Sequence, residues 1–296
     1  MEKINLMALR HSAFYSPYLM TMAGGFLKDE GLEYSYEVQT PRKTVADSIE
    51  NGSCHVAQSA VAASFGLLES GREPPFVHFA QINERDGFFL VSRWPDREFN
   101  WRDLEGKRVL VDHFFQPYAM FKYALYKKQV DPGKLHILDA GDVEGIEAEY
   151  REGRGGYVHM QGPSAQQLEK DGLGRVVASI GEAIGPVAFS SLCASPEWLK
   201  TDMARAFMAA YRKARAFVLE SAAEEIAQIL KSEGFFTLIN DVVLTNTIDT
   251  YKGLGCWAPS VDISPESYET LLDVFTYNGM IQKLYRYDKL IAAVSE

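Results

Sequence analysis

Six histidines and three cysteines are the residues of this 296-residue chain best suited to moving protons, binding metal or attacking an electrophile. Their spacing argues against most of that chemistry. His11, His55, His78, His113, His136 and His159 are dispersed, without metal-ligand spacing. Cys54, Cys193 and Cys256 are odd in number and unrelated in spacing, and read as reduced, partly buried thiols. Cys54 and His55 are neighbours in or beside a strand, where adjacent side chains point to opposite faces, so they make a poor dyad. No Walker-type phosphate loop, HExxH, GxSxG elbow or EF-hand loop occurs. Gly172-Leu-Gly174 lacks the third glycine of a dinucleotide fingerprint and precedes a strand.

What remains is a set of loops at strand C-termini that carry aromatic rings, amides and a few charged groups. The first holds Arg10, His11, Phe14 and Tyr15, the second Gln58 and Ser59, the third Gln81. The fourth is Asp112-His113-Phe114-Phe115-Gln116, and the fifth ends in Gln161-Gly162-Pro163. Rings supply flat apolar walls and amides supply directional donors and acceptors. Helices begin after four of the five loops, so free N–H groups and dipole ends suit a polar or anionic ligand group. Each residue also has a plainer role: Phe14, Phe114 and Phe115 as loop packing, Ser59 as a helix cap, His113 as a hydrogen-bonded structural histidine, Asp112 as a turn former. Were the cleft catalytic, His11, His113 and Asp112 would be its acid/base groups.

The elements that position these loops are read from alternating apolar runs and amphipathic segments. Strands are expected at Ile4–Leu9, Tyr34–Val38, His55–Gln58 and Phe76–Ile82, with helices between, the first opening at Ser16-Pro17. This βαβαβαβ order implies a mainly parallel sheet. After the apolar run Gly87–Ser92 and a polar loop at Trp94–Leu104, a second series follows, with strands at Arg108–Val111, Leu135–Leu138, Tyr157–Met160 and Val176–Ser179. Val187–Ala194 returns the chain to the first unit. The remainder is helical: Thr201–Glu220, a capping box Ser221-Ala-Ala-Glu224, and helices starting at Asn240 and Ser264-Pro265. The expected architecture is α/β with two lobes, residues 1–90 plus 195–296 and residues 91–194, joined by two crossings around a cleft.

A charge of −10, from 30 Lys+Arg and 40 Asp+Glu, and the lack of a basic cluster exclude a general nucleic-acid binder. No apolar stretch approaches the ~18 residues of a membrane span. The N-terminus carries no signal-peptide pattern, which places the chain as written in the cytoplasm, or outside it if a leader has been removed.

Several segments resemble one family of solute-binding proteins. Ala13–Leu32, with Gly25-Phe26 and Gly31-Leu32, resembles its opening loop, helix and "G-x-F-x-x-x-G-L". Asn51–Ala57 resembles its "G-x-x-D-V-G" strand with His55 at the acidic position, and Asp103–Val109 is similar to "D-L-K-G-K-x-I". Ser195–Leu199 also fits. The family comprises the binding components of sulfonate, nitrate, taurine and thiamine-pyrimidine importers, and the eukaryotic thiamine-pyrimidine synthase shares its pattern. The resemblance implies a type 2 periplasmic-binding-protein fold, a hinge, and a small organic ligand, ring-containing or anionic, held by the loops above. It implies an ABC permease as partner and no cofactor or metal. The synthase's lysine and histidine fall on Ser59 and Ala63, and its cysteine run is absent from Gly185–Ser191, so that activity is not expected. A cytoplasmic lyase, decarboxylase or desulfinase on the same fold, or a ligand sensor, is the alternative.

Overall fold

The computed structural model describes residues 1–94 and 98–294; residues 95–97, inside the expected polar loop, and 295–296 lie outside the described residues. The ten strands among the described residues form two five-stranded sheets. The first begins with β1 (Glu2–Ala8), β2 (Leu32–Val38), β3 (Val56–Ser59) and β4 (Val77–Asn83). The second is built from β5 (Phe88–Ser92), β6 (Arg108–Val111), β7 (His136–Leu138), β8 (Tyr157–Gln161) and β9 (Arg175–Ser179), and β10 (Ser190–Ala194) returns to the first. The strand orders are β2-β1-β3-β10-β4 and β7-β6-β8-β5-β9. β1 pairs in parallel with β2 and β3, and β6 with β7 and β8. The exceptions are β10, antiparallel to β3 and β4, and β5, antiparallel to β8 and β9. Each exception is the strand that has just crossed from the other sheet. The expected boundaries at 90/91 and 194/195 fall within β5 and after β10, whereas the pairing keeps β5 whole in the second sheet and β10 in the first. The apolar patterns of these strands look alike from either side, and only the ladder assigns them.

Helices fill the connections. In the first lobe they are α1 (Ser16–Ala23), α2 (Phe26–Asp29), α3 (Val45–Glu50) and α4 (Val61–Glu69), and in the second α5 (Phe115–Lys127), α6 (Val143–Arg151), α7 (Ser164–Lys170) and α8 (Ile180–Ile184). The C-terminal third supplies α9 (Asp202–Glu220), α10 (Ala223–Ser232), α11 (Asp241–Gly253), α12 (Pro265–Tyr277) and α13 (Tyr287–Leu290). Asn240 and Ser264 cap α11 and α12 as expected. The capping box at Ser221 does not form. Ser221 terminates α9 through its N–H to Phe217 O, which leaves Ala222 to start α10 without a side-chain cap.

The two crossings pair with each other: Val187 N–H donates to Glu84 O at 2.8 Å and Phe189 N–H to Asn83 O at 3.2 Å. α9 anchors this region through Arg215, only 1% exposed. Its guanidinium donates to the carbonyls of Gln81 (3.0 Å), Ile82 (3.1 Å) and Ala258 (2.6 Å). A cation this buried is tolerable because backbone dipoles take the place of its hydration. α11 and α12 reach the second lobe. Tyr251 of α11 accepts from Gly162 N–H (2.9 Å) and donates to Gly87 O (3.1 Å), and Asn278, after α12, donates to Ala119 O (3.0 Å).

Two histidines are buried in the sheets. His78 lies between Ser191 Oγ (2.8 Å) and Ser64 Oγ (3.1 Å). His159 is packed between the rings of Phe88 (4.6 Å) and Phe121 (5.1 Å), and neither ring nitrogen has a partner among the described residues. Burial pushes both pKa values down to about 3. The unfolded chain takes up these protons below about pH 6.5, so folding stability falls from there toward pH 3, by on the order of 1 kcal/mol per pH unit for each histidine. Urea denaturation of His159→Leu should therefore show a shallower loss of stability between about pH 6 and pH 4 than the parent. At neutral pH the variant should equal or exceed the parent, because an unpaired polar ring has been removed.

Candidate ligand-binding cleft

The first lobe presents the end of β1 and the loop that follows it. Gln58 shapes this loop from β3, its Oε1 accepting from Leu9 N–H (3.0 Å) and Arg10 N–H (3.3 Å). Ser12 caps the short helical turn Ala13–Tyr15 and donates across the cleft to Gly162 O at 3.0 Å. Opposite stands the loop after β6. Asp112 Oδ1 accepts from Phe114 N–H (2.8 Å), which turns the chain into α5. Its other oxygen takes the Arg10 guanidinium at 2.8 Å, and Arg10 lies over the Phe114 ring at 4.6 Å. One interlobe ion pair and one stacked ring thus close the middle of the cleft. Phe114 remains 46% exposed.

Three cavities meet at Leu9 and Phe114. An inner one of about 40 Å³ is bounded by Arg10, Tyr15, Gln58, Gln116 and Gln161. That volume suits a water rather than a metabolite. An outer cleft of about 920 Å³ runs from Arg10, His11 and Ser12 across to Gly162, Pro163 and α6. Its wall carries the carboxylates of Asp112, Asp142, Glu144 and Glu147 against the single guanidinium of Arg10. Asp142 caps α6, and Glu147 pairs with Arg151 at 2.7 Å. The third cavity, about 390 Å³, lies between α3, α4 and Phe114–Phe115.

Of the residues expected at the site, Arg10, His11, Tyr15, Gln58, Ser59, Asp112, Phe114, Phe115, Gln116, Gln161, Gly162 and Pro163 border these cavities. Ser59 ends β3 rather than capping α4, whose N-cap is Ala60. His11 sits at the mouth, stacked on Phe236 at 4.6 Å with Nδ1 2.9 Å from Tyr36 OH, and burial lowers its pKa. Three expected residues, Phe14, Gln81 and His113, lie away from these cavities. Phe14 is fully buried against Tyr251 (4.7 Å) and Gly87, with its carbonyl accepting from Trp257, and so packs the hinge. Gln81 is buried beneath α9, its amide donating to Asn83 O at 2.6 Å. His113 turns away from the cleft, Nδ1 to Val111 O at 2.8 Å and its ring on Tyr118 at 4.3 Å. Leu9, Ala60, Phe88, Phe189 and Ser190 line the inner cavity and were not expected there. Phe88 and Phe189 flank the crossings, where an apolar run signals a strand and not a wall.

Among the described residues that border the three cavities, Gln116 has a buried polar atom that its neighbours leave unpaired, as do Gln81, Asn83 and Asp86 away from the cavities. It is 5% exposed; its Nε2 donates to Phe189 O at 2.8 Å, while its Oε1 has no partner among the described residues. Among the described residues no cluster of His, Cys, Asp or Glu could hold a metal ion, and no helix is long and apolar enough to cross a membrane.

Two mixed five-stranded sheets, each completed by a strand crossing from the other, with polar loops facing across the gap, define the two-lobed periplasmic-binding-protein fold. Within that class the chain belongs to the NMT1/THI5-like family, which it matches over residues 13–225. It is 30% identical to YtlA of Bacillus subtilis (strain 168), which carries the name of a binding protein, over 98% of this chain and 88% of that one. The ligand-binding component of an ABC-type import system from Staphylococcus aureus, solved with zinc bound, shares the fold at a TM-score of 0.76 and 16% identity over 99% of this chain and 97% of that one. The periplasmic aliphatic sulphonate-binding protein SsuA from Escherichia coli does so at 0.78 and 13%, over 98% and 97%.

The ion pair makes a direct prediction. Asp112→Asn keeps an oxygen for Phe114 N–H but leaves Arg10 without its counter-charge, so the lobes should separate more readily. Small-angle X-ray scattering should give a larger radius of gyration for the variant. The parent should move toward the variant's value as salt is raised, because the pair is partly exposed and open to screening.

Proposed function

We propose that this protein is a solute-binding protein that closes its lobes over a small, ring-containing organic molecule whose polar end is uncharged or cationic and carries a hydrogen-bond donor. The free, buried Oε1 of Gln116 carries this reading: an acceptor left without a partner costs about 1–3 kcal/mol, and a donor on the ligand would recover it. The acidic wall of the outer cleft supports the same choice of charge. An anionic ligand, the other half of the sequence expectation, would have to displace Asp112 from Arg10 and face Asp142 and Glu144. Phe114, which borders all three cavities, supplies a flat surface for stacking.

The lobe division that accompanies this reading places the hinge at residues 84–87 and 185–189, so that the first lobe takes β10 and the second all of β5. An ABC permease is the partner that such a binder would serve, and its place of work would then be outside the cytoplasm. Catalysis on this fold is the second reading. Its candidates are poorly placed: His113 faces away from the cleft, Asp112 is paired, and His11 packs at the rim. Ser59 and Ala63 still stand where the thiamine-pyrimidine synthase pattern has lysine and histidine, which supports the absence of that activity.

Native mass spectrometry of protein purified from its own host, followed by denaturing release, tests the proposal. One equivalent of a ring-containing, uncharged or cationic molecule, unchanged on incubation, is the expected result. Phe114→Ala and Gln116→Leu should each lower its occupancy or affinity by about fivefold or more, given the ~1–3 kcal/mol at stake in such contacts. A released anion would reject the charge assignment, and a substrate–product pair that changes with time would favour the enzyme.

A further inference from the structure

The third cavity is chemically unlike the other two. Its wall is made by Val45, Ala63, Gly66, Leu67, Phe76 and Phe115, and its volume of about 390 Å³ lies within the ~300–1,000 Å³ range of small-molecule pockets. The charged groups at its rim are already paired. Arg72 donates to Asp47 (3.0 Å) and Glu50 (2.5 Å), and Thr44 Oγ1 to Asp47 Oδ2 (2.7 Å). Such a chamber offers an occupant apolar contact and little hydrogen bonding. It adjoins the inner cavity, with Leu9, Ala60, Phe114 and Gln116 bordering both. The unpartnered Oε1 of Gln116 therefore belongs to a residue that stands at the junction between the polar and apolar compartments.

We infer that this chamber receives an apolar arm of the cleft ligand, so that the solute is amphipathic: a donor-bearing head at Gln116 and an alkyl or aryl arm between α3, α4 and Phe115. The inference rests on the binding reading above and adds to it a second compartment and a class of ligand. The inner cavity of about 40 Å³ has no room for a ring, and the adjoining chamber of about 390 Å³, which Gln116 also borders, does.

Two substitutions fill the chamber from α4. Ala63→Phe places a ring in it. Gly66→Leu adds a side chain at a helical position whose Cβ would meet only the Phe115 ring, at 3.6 Å. Isothermal titration calorimetry with n-alkylamines and n-alkanols from butyl to decyl reads the outcome. In the parent, affinity should rise about fourfold per methylene, the increment for burying a CH₂ group, and level off once the chamber is full. In both variants, with thermal midpoints within a few degrees of the parent, the increase should flatten while butyl binding stays within about twofold. An unchanged slope in the two folded variants, or binding in the parent that does not depend on length, overturns the chamber and leaves the cleft reading standing. No binding at any length in either series overturns the cleft reading and the chamber with it.

Discussion

The reciprocal exchange of strands is the constraint on which the rest of the molecule depends. Neither sheet is complete without a strand delivered from the other side, β5 in one case and β10 in the other. The lobes therefore cannot part by more than the two short crossings allow, and those crossings are themselves hydrogen-bonded as a pair. Relative motion is confined to bending about that line, which brings the loops after β1, β3, β6 and β8 toward one another. A cleft follows from the topology before any side chain is specified. Side chains then decide how firmly it closes and what it encloses.

The C-terminal helices turn this constraint into a stiff frame. Arg215 ties α9 to the last carbonyls of β4, just before the first crossing, and Tyr251 joins Gly87 in that crossing to Gly162 at the end of β8. Phe14 wedges between Tyr251 and Gly87, so a Cβ on that glycine would meet its ring at 2.5 Å. The hinge thus has contacts to both lobes on one side and the polar cleft on the other. Arg10 and Asp112 supply the matching contact at the open side.

Strand and helix order was legible in the sequence because each apolar run is bounded by Gly, Pro, Ser or Asn at positions that the backbone needs for turns and caps. The loops that form the cleft were legible for the same reason: in a parallel sheet, the position of a strand's C-terminus fixes which loops meet. The direction of each side chain within a loop was not. Phe14 and Tyr15 are adjacent, yet one fills the hinge and the other the cavity. His113 and Phe114 divide in the same way because the Asx turn at Asp112 sets one ring inward and the other outward. Gln81 and Gln116 look equivalent as amides, and only the packing of α9 over β4 separates them. Tyr251 carries no local signal, since its partners lie 89 and 164 residues away. The self-neutralising pair of Arg10 and Asp112 joins residues 102 apart and cancels the charge that Arg10 alone would suggest.

Phe114 borders all three cavities together with Leu9 and is nearly half exposed; its backbone is held by the Asp112 turn, and its ring carries the Arg10 guanidinium. Its side chain can change without loss of a core contact or a buried hydrogen bond. A single-base mutation at this codon would merge or separate compartments and so redraw the shape of the accepted solute, while the sheets, crossings and hinge stayed as they are. Descendants of one such gene could therefore acquire new cargo at little cost in foldability, with the partition between the cavities as the first position to drift.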